Sequence, residues 1–251
     1  ESLKHCIKVG KISYDSRNVL GSGSNGTIVY RGKQDGREVA VKRVLNPYFQ
    51  KLSRELDALK ASDSHDNVLR HFDTEADGNF HYIALEYCVA SLFDYVEKEA
   101  HIVRLKPKEI LKQATAGVKY LHSTNRVHRD LKPQNILFAR RGNTVRTVIS
   151  DFGLCKAIRD NKHSLTRSSG QSGSDGWMPP EVLKEESTSY PWDIFSLGCI
   201  YYYVLTGGFH PFGELHSQNH NIIKGEFVLD KLNTAGSRKQ VPKTRKTSNS
   251  R

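Results

Sequence analysis

The sequence predicts an α+β fold in which a small antiparallel sheet with one helix precedes a mainly helical second part. In the first part, short β-branched segments alternate with glycine-rich turns, which is typical of strands. After Ser91 the apolar residues recur every three or four positions, which is typical of helices. A chain of 251 residues, 37% of them apolar, can bury a core and suits one domain or a compact two-lobed unit.

Turn residues separate the elements of the first part. Glycines within 21–26 precede a β-branched run, and a turn at 32–36 precedes a second run. Leucines spaced four and three apart indicate a short helix before the last strand of this part. Residues 1–12 are basic and ambiguous. The predicted elements are strands at 27–30, 38–44 and 81–85 and a helix over 52–60.

The second part carries helix signals. Ser91 is suited to cap a helix that contains Leu92, and Pro107 is suited to the first turn of another. That second helix has an apolar stripe along one face. The segment 194–205 is apolar almost all round, which predicts a fully buried helix. The remaining predicted elements are two short strands, 135–138 and 146–149, around a turn at 142–143.

The charge of the chain is unevenly distributed. The net charge is +11, and residues 236–251 contribute six Lys and Arg and no acid. A basic tail without aromatic residues is more often a solvated, disordered end than an RNA-binding surface, so we expect no specific nucleic-acid binding.

No run of 18 apolar residues occurs, so no membrane span is predicted. The four cysteines lie far apart, which favours reduced thiols over a disulfide framework or a zinc site.

The segment 21–26 has the pattern G-x-G-x-x-G, which alone is a weak signal. In a dinucleotide-binding fold this loop opens a helix, whereas the β-branched run that follows here favours a strand. A glycine-rich turn between two strands lets backbone N–H groups approach phosphates. The alternative is an ordinary hairpin turn, and this segment does not decide between the two.

A lysine lies on the strand that follows the glycine turn. Alternation places Ala40 and Lys42 on one face of this strand and Val39 and Val41 on the other. A lysine beneath the glycine loop could reach phosphates if a carboxylate held it, and Glu55 on the next predicted helix is the candidate. The alternative is a solvated surface lysine.

The strongest signal is the segment 128–135, His-Arg-Asp-Leu-Lys-Pro-Gln-Asn. Phosphoryl transfer requires a carboxylate that accepts the proton of the attacking hydroxyl, and Asp130 suits this role. It also requires an amide oxygen on a metal ion, which suits Asn135, while Lys132 can neutralise the transferred phosphoryl group. The segment Asp-Phe-Gly at 151–153 follows a predicted strand, where Asp151 would ligate magnesium.

Together these segments make the chain resemble the eukaryotic protein kinases, and Lys132 resembles that of the serine/threonine class. The resemblance is closer still to the inositol-requiring kinase/endoribonucleases of the unfolded protein response. The segments that carry it are 21–32, 150–156, 162–170, 193–196 and 210–213. The resemblance implies a two-lobed protein kinase fold with a mainly helical C-lobe that lacks its last helices. The implied parts are a juxtamembrane-like segment at 1–13, an N-lobe at 14–87, an incomplete C-lobe at 88–233 and a disordered basic tail at 234–251.

The resemblance also implies site residues. Asp130, Lys132, Lys42 and Glu55 would be catalytic, with Lys42 paired to Glu55. Asn135 and Asp151 would hold Mg²⁺. Leu85 would be the gatekeeper, and the backbone groups of Glu86 and Cys88 would bond the adenine edge. The residues that would contact ATP or ADP are Leu20, Gly21, Gly23, Gly26, Ile28, Lys42, Leu85, Glu86, Cys88, Lys132, Asn135 and Asp151.

The implied activity is phosphorylation of the chain's own activation loop in trans, at Ser164, Thr166 and Ser169. A phosphate there would pair with Arg129 and order the loop. Back-to-back self-association as a homodimer is also implied, on the cytosolic face of the endoplasmic reticulum if the chain belongs to a longer protein. We expect no ribonuclease activity from this chain. The alternative is a nucleotide-binding dimerisation module, or a truncated regulatory form, with little phosphotransfer.

The chain departs from the family pattern at two places. The Ala-Pro-Glu that usually follows the activation loop is Pro179-Pro180-Glu181 here. In addition, the resemblance fades near Leu232, so we expect the arginine that usually pairs with Glu181 to be missing. A carboxylate left alone in a partly buried place is costly. We also expect the apolar helix at 194–205 to lose some of its cover, at about 1.5–3 kcal/mol for each large uncovered side chain, and the sequence therefore predicts a poorly stable C-lobe.

Overall fold

The computed structural model describes residues 5–23, 26–49, 65–98, 103–158, 173–186 and 188–235. Within these ranges an antiparallel sheet is followed by helices, which confirms the predicted α+β class. The helix predicted over 52–60 lies outside the described residues. No helix in the described part of the chain is long and apolar enough to cross a membrane.

The first part of the chain is mainly strands, and the second part contains helices and short strands. The strands are β1 (Cys6–Val9), β2 (Ile12–Ser22), β3 (Ile28–Gln34), β4 (Arg37–Leu45), β5 (His71–Ala76), β6 (Phe80–Glu86), β7 (Cys88–Ser91), β8 (Arg126–Val127), β9 (Ile136–Arg141), β10 (Thr144–Ile149) and β11 (Lys156–Ala157). The α-helices are α1 (Leu92–Glu97), α2 (Pro107–Ser123), α3 (Pro180–Leu183), α4 (Pro191–Thr206), α5 (Gln218–Lys224) and α6 (Asp230–Ala235). Short 3-10 turns lie at Pro133–Asn135 and Phe152–Leu154.

The large sheet has six strands in the order β1-β2-β3-β4-β6-β5, and every neighbouring pair is antiparallel. Strand β4 lies near its centre and shows the predicted alternation. Val39 and Val41 are buried with Tyr14 and Tyr30 on one face, while Ala40 packs towards the main core on the other. Lys42 is therefore directed to the side of the sheet that faces the rest of the molecule.

The sheet begins earlier than the predicted lobe boundary at residue 14. Strand β1 pairs with β2 through a tight turn at Gly10, whose φ of 55° favours glycine. The curl of the sheet brings Glu75 of β5 against this turn, where its carboxylate accepts a hydrogen bond of 3.0 Å from the Lys11 N–H. A side chain on Gly10 would collide with Glu75, so the turn requires glycine for this contact.

The predicted signals at the starts of α1 and α2 are confirmed. Ser91 forms a capping box: its hydroxyl accepts from the Asp94 N–H at 3.0 Å, and the Asp94 carboxylate accepts from the Ser91 N–H at 2.9 Å. Pro107 is the first residue of α2. The predicted apolar stripe of α2 is buried in the main core, where the helix packs against β10, and it comprises Ile110, Leu111, Ala114, Gly117, Val118 and Leu121.

Helix α4 is only partly covered. The fully buried helix that its apolar composition predicts is therefore wrong, whereas the expected loss of some of its cover agrees with the structure. Trp192, Ile200 and Tyr203 are buried, but Ile194 is 57% exposed and Leu205 is 45% exposed. The described elements cover one side of the helix and leave these side chains open. The helix is therefore apolar on all sides, but the described residues bury only some of its apolar side chains.

Glu181 of α3 has a partner, contrary to the expectation of a carboxylate left alone. The Thr188 hydroxyl donates a hydrogen bond of 3.1 Å to Oε1 of Glu181. Thr188 is buried, whereas Glu181 is half-buried, so this bond is formed at the edge of the core. The two consecutive prolines fit the local structure because Pro179 precedes the helix and Pro180 is its first residue.

His210 is packed in the second part of the chain without a full set of hydrogen bonds. Its ring meets Trp177 edge-on at 4.9 Å, and its Nδ1 accepts from the Phe212 N–H at 3.2 Å. Its Nε2 is buried without a hydrogen-bond partner among the described residues. Burial disfavours the imidazolium and lowers the pKa of His210 to about 4.

We expect His210 to make the protein sensitive to acid. Between pH 6.5 and pH 4 the unfolded chain binds a proton that the folded chain excludes, so stability falls as the pH falls. The contribution of this group alone is roughly 3 kcal/mol across that interval. Urea unfolding at pH 7 and pH 4.5 should show a smaller pH-dependent loss for His210→Gln than for the unchanged chain. Equal losses would contradict the assignment, and exposed His216→Gln is the matched control.

Candidate active site

The predicted catalytic residues lie on loops that the two parts of the fold bring together. Asp130 lies shortly after the short strand β8, Asn135 ends a 3-10 turn before β9, and Asp151 lies two residues after the end of β10. The Ser150 N–H and hydroxyl both donate to the Asn135 carbonyl at 2.9 Å. His128 adds a second connection, because its Nε2 lies 2.8 Å from the Ser150 carbonyl oxygen. The loop at 128–135 and the segment at 151–153 therefore form one unit.

The carboxylate of Asp130 is held on both oxygens. Its Oδ2 accepts from Asn135 Nδ2 at 2.9 Å and lies 3.1 Å from Lys132 Nζ. Its Oδ1 accepts from the Ser174 N–H at 3.0 Å and from the Ser174 hydroxyl at 2.7 Å. Lys132 Nζ also donates to the Ser174 hydroxyl at 2.6 Å. These contacts fix the orientation of the carboxylate.

Asn135 directs its amide nitrogen towards Asp130. Nδ2 donates to the Asp130 carbonyl at 2.8 Å as well as to the carboxylate. Because both of these bonds use the amide nitrogen, they leave the amide oxygen as an acceptor for another group. Asn135 is buried, so this orientation is fixed by its surroundings.

Ser174 is a site residue that the sequence analysis did not identify. It lies in a serine- and glycine-rich stretch where its hydroxyl has no feature that distinguishes it from neighbouring serines. Gly173 allows the approach, because a Cβ there would lie 2.7 Å from the Arg129 carbonyl oxygen. The only sequence signal is its place shortly before Pro179-Pro180-Glu181.

Asp193 accepts hydrogen bonds from the backbone of the loop at 128–135. This carboxylate is fully buried and accepts from the N–H groups of His128 and Arg129, each at 2.9 Å, and it lies 2.8 Å from His122 Nε2. Arg129 has a φ of 67°, a conformation that costs energy for a non-glycine residue. The two bonds from consecutive N–H groups to Asp193 hold the backbone in this conformation. Asp193 lies in one of the segments that carry the family resemblance, but no sequence pattern indicates its role.

Arg129 lies inside the protein and not on its surface. Its Nε donates to the Leu154 carbonyl at 2.6 Å, and its guanidinium lies 5.7 Å from the centre of the Trp192 ring. Burial lowers the pKa of Arg129 from its ordinary value. The predicted phosphate acceptors Ser164, Thr166 and Ser169 lie outside the described residues, so the structure does not test their pairing with Arg129.

Lys42 and Asp151 meet across the two parts of the fold. Lys42 Nζ lies 3.8 Å from Asp151 Oδ1, with the lysine side chain largely buried and the aspartate side chain 49% exposed. Asp151 has a left-handed backbone conformation, with φ of 61° and ψ of 75°. Phe152 is buried edge-on against the His128 ring at 5.3 Å. Glu55, the predicted partner of Lys42, lies outside the described residues.

The glycine segment connects strands β2 and β3, which confirms the predicted strand after the turn and excludes the helix that a dinucleotide-binding loop requires. The Gly23 N–H donates to the Thr27 carbonyl at 2.9 Å and closes the turn, and Gly26 has a φ of 71°. Strands β2 and β3 place Leu20, Gly21 and Ile28 in the flanks of this turn.

The connection between β6 and β7 contains the other predicted nucleotide contacts. Leu85 is buried in the main core, and Glu86 and Cys88 lie on either side of the single linking residue, Tyr87. Desolvation raises the pKa of the Cys88 thiol, which favours the neutral form. The structure therefore brings Asp130 together with Lys132, Asn135 and Ser174, and it brings Lys42 together with Asp151.

Comparison with known protein families identifies the class of protein to which the chain belongs. The model of the protein kinase domain matches residues 14–250, and the chain belongs to this family. Among curated proteins, the chain is 52% identical over 228 residues to the serine/threonine-protein kinase/endoribonuclease ire-1 of Caenorhabditis elegans. It is 48% identical over 230 residues to IRE2 of Homo sapiens and 43% identical over 271 residues to ireA of Aspergillus fumigatus, both named as kinase/endoribonucleases. These matches confirm the resemblance found in the sequence.

The matches cover most of this chain but a small part of the relatives. They include 88%, 89% and 92% of this chain and 24%, 25% and 23% of the three relatives, respectively. The chain thus spans about a quarter of the length of the curated relatives it matches.

Proposed function

We propose that the chain is an ATP-dependent serine/threonine protein kinase that phosphorylates its own activation loop in trans, in the signalling of the unfolded protein response. The observation that carries the proposal is the Asp130 carboxylate, which is oriented by Asn135, Lys132 and Ser174 beside the Lys42–Asp151 pair. This arrangement supplies a proton acceptor, two cations and two oxygen ligands, the groups that phosphoryl transfer requires.

In this proposal Asp130 orients the attacking hydroxyl and accepts its proton. Lys132, 3.1 Å from Asp130, neutralises charge on the transferred phosphoryl group. Ser174 keeps both side chains in place. Lys42 contacts the nucleotide phosphates and pairs with Glu55.

Two residues fit a magnesium ion. Asn135 has its amide oxygen available because Asp130 engages the amide nitrogen, and Asp151 presents a half-exposed carboxylate. Amide and carboxylate oxygens are the ligands that Mg²⁺ prefers. When bound by these residues, the ion would supply positive charge that offsets the negative charge of the phosphate groups. In the same proposal the backbone groups of Glu86 and Cys88 receive the adenine edge beside Leu85, and the glycine turn covers the phosphates.

The proposed substrate is a second copy of the chain, modified at Ser164, Thr166 and Ser169. The test incubates the chain with Mg²⁺ and γ-labelled ATP together with a tagged Asp130→Asn copy that serves only as substrate. We expect label on these hydroxyls of the tagged copy, and none when both copies carry Asp130→Asn. A tagged copy with alanine at all three positions is the matched control. Nucleotide binding without any label would contradict the enzyme proposal and support the nucleotide-binding module.

Substitution of Ser174 tests whether its hydroxyl contributes to turnover. We expect Ser174→Ala to lower kcat by about 10–100-fold, because the Asp130 carboxylate and Lys132 each lose the hydrogen bond that they form with the Ser174 hydroxyl. In this variant the backbone N–H remains, so the loss reports the hydroxyl. Ser174→Thr retains the hydroxyl and should keep most of the activity. Steady-state phosphorylation of a peptide would measure both variants, and equal activity of the alanine and threonine variants would argue against this role.

The proposal extends to the organisation of the chain and its setting. We propose an N-lobe at 14–87 and a C-lobe at 88–233, with self-association of the kinase as a back-to-back homodimer. We also propose that the chain acts at the cytosolic face of the endoplasmic reticulum as part of a longer protein. Sedimentation velocity with and without ADP tests the self-association, which nucleotide should strengthen.

A further inference from the structure

Arg146 on β10 occupies a nearly buried position behind the segment that links the two parts of the fold. Its Nη2 donates to both carboxylate oxygens of Glu86, at 2.5 Å and 2.7 Å. The side chains of Arg146 and Glu86 are only 14% and 13% exposed, respectively. A buried ion pair of this geometry forms strong charge-assisted bonds, and removal of one partner leaves the other charge uncompensated.

The same guanidinium contacts a second segment. Nη1 of Arg146 donates to the carbonyl of Asp66, in the connection that precedes β5. This connection also meets Glu86 directly, because the Glu86 N–H donates to the Arg70 carbonyl at 2.9 Å. One planar side chain therefore holds an acceptor from each of two segments, which the single ammonium group of lysine does not reproduce.

The connection at 65–70 is itself fixed to the helical part of the molecule. Asn67 donates from its side chain to the Thr147 carbonyl at 2.8 Å, and its carbonyl accepts from the Ile149 N–H at 2.9 Å. Helix α2 packs closely there, since a Cβ on Gly117 would overlap the Asn67 carbonyl oxygen. Arg146 thus connects Glu86 to a rigid frame formed by β10, α2 and this connection.

Glu86 is the last residue of β6, and only Tyr87 separates it from Cys88. Cys88 pairs with Ala139 of β9, and Ala139 pairs in turn with Arg146 of β10. The frame therefore reaches the link from both ends: through the side chain of Glu86 and through the strand that carries Cys88.

We infer that Arg146 is a positioning residue for nucleotide binding, which acts by holding Glu86 so that the backbone groups of Glu86 and Cys88 face the adenine. The inference rests on the proposed function, in which these backbone groups receive the nucleotide. Without Arg146 the Glu86 carboxylate is left buried and unpaired, and it reaches water only if the link between β6 and β7 moves. Such a movement weakens adenine binding while the Asp130 cluster, which makes no contact with Arg146 among the described residues, stays in place.

The test compares Arg146→Met, Arg146→Lys and Arg141→Met in peptide phosphorylation at varied ATP concentration. We expect Arg146→Met to raise KM for ATP about tenfold and to leave kcat within about twofold. Arg146→Lys keeps the positive charge but lacks the planar guanidinium, so its KM for ATP should lie between that of Arg146→Met and that of the unchanged chain. Arg141 is exposed on the same hairpin, so Arg141→Met is the matched control and should behave as the unchanged chain.

A second pair of variants keeps the test decisive if Arg146→Met folds poorly. Glu86→Gln retains the shape of the side chain but removes its charge, and it should raise KM for ATP in the same way. In the Glu86→Gln background, the further effect of Arg146→Met should be much smaller than alone, because the partner charge is already gone.

Three results would overturn the inference. The first is a lower melting temperature with unchanged KM, which would mean that Arg146 only stabilises the fold. The second is additivity of the two substitutions. The third is a fall in KM or a rise in turnover, which would make the pair a restraint on the active state. Failure of the unchanged chain to bind ADP or transfer phosphate would instead overturn the proposed function, so the two failures are distinguishable.

Discussion

Replacement of Asp130 by asparagine should lower phosphotransfer by about 10²–10⁴-fold, the range over which a positioned general base contributes. Asparagine has nearly the same shape and retains one acceptor oxygen for Ser174, but it cannot accept the substrate proton. ADP binding should stay within about twofold, because in the proposed function Asp130 acts on the substrate hydroxyl and does not contact the nucleotide. Peptide phosphorylation and calorimetric ADP binding measure the two effects separately.

A control for this variant is Asp15→Asn, which removes an exposed carboxylate on β2 that pairs with Arg17. It should leave both turnover and ADP binding unchanged. If Asp130→Asn kept more than about a tenth of the turnover, Asp130 would not act as the proton acceptor. Loss of ADP binding in Asp130→Asn would indicate disruption of the whole site and not removal of one chemical group.

Removal of the Asp193 carboxylate should have the largest effect on stability. In Asp193→Ala, the N–H groups of His128 and Arg129 stay buried without their acceptor, and His122 loses a partner. Each unsatisfied buried group costs about 1–3 kcal/mol, so we expect the free energy of unfolding to fall by roughly 3–5 kcal/mol. The left-handed conformation of Arg129 also loses the bonds that maintain it.

Urea unfolding followed by tryptophan fluorescence is a suitable measurement, because Trp192 is the neighbour of Asp193 in α4. The exposed Asp230→Ala on α6 is the control and should change stability by less than about 0.5 kcal/mol. Asp193→Asn keeps one acceptor oxygen, so its loss of unfolding free energy should lie between those of Asp193→Ala and Asp230→Ala. A loss below about 1 kcal/mol in Asp193→Ala would show that the catalytic loop does not depend on this carboxylate.

Much of the site could be predicted from the sequence because its chemistry is local along the chain. Asp130, Lys132 and Asn135 lie within one segment of eight residues, so their order and residue types indicate the proposed roles directly. The glycine turn was also predictable, since the β-branched run after Gly26 excludes the helix of a dinucleotide-binding loop. The alternation along β4 correctly placed Lys42 opposite the buried valines.

The residues that the sequence did not reveal act over long separations. Ser174 is 44 positions from Asp130, and Asp193 is 65 positions from His128. Arg146 is 60 positions from Glu86. Pattern and propensity describe neighbours along the chain, and no local pattern distinguishes these side chains from similar ones nearby. Composition likewise shows that the helix at 194–205 is apolar but not which elements cover it, so the sequence does not indicate that Ile194 is one of the exposed side chains.

The central claim is that Lys42, Asn135 and Asp151 converge with Asp130 on one metal-bound triphosphate. The most direct test is the affinity for a non-hydrolysable ATP analogue, measured by calorimetry with and without Mg²⁺, in the unchanged chain and in Asp151→Asn. We predict that Mg²⁺ tightens binding at least about tenfold in the unchanged chain and less than about twofold in Asp151→Asn. Equal tightening in both proteins would contradict the claim, because the ion would then bind without the Asp151 carboxylate.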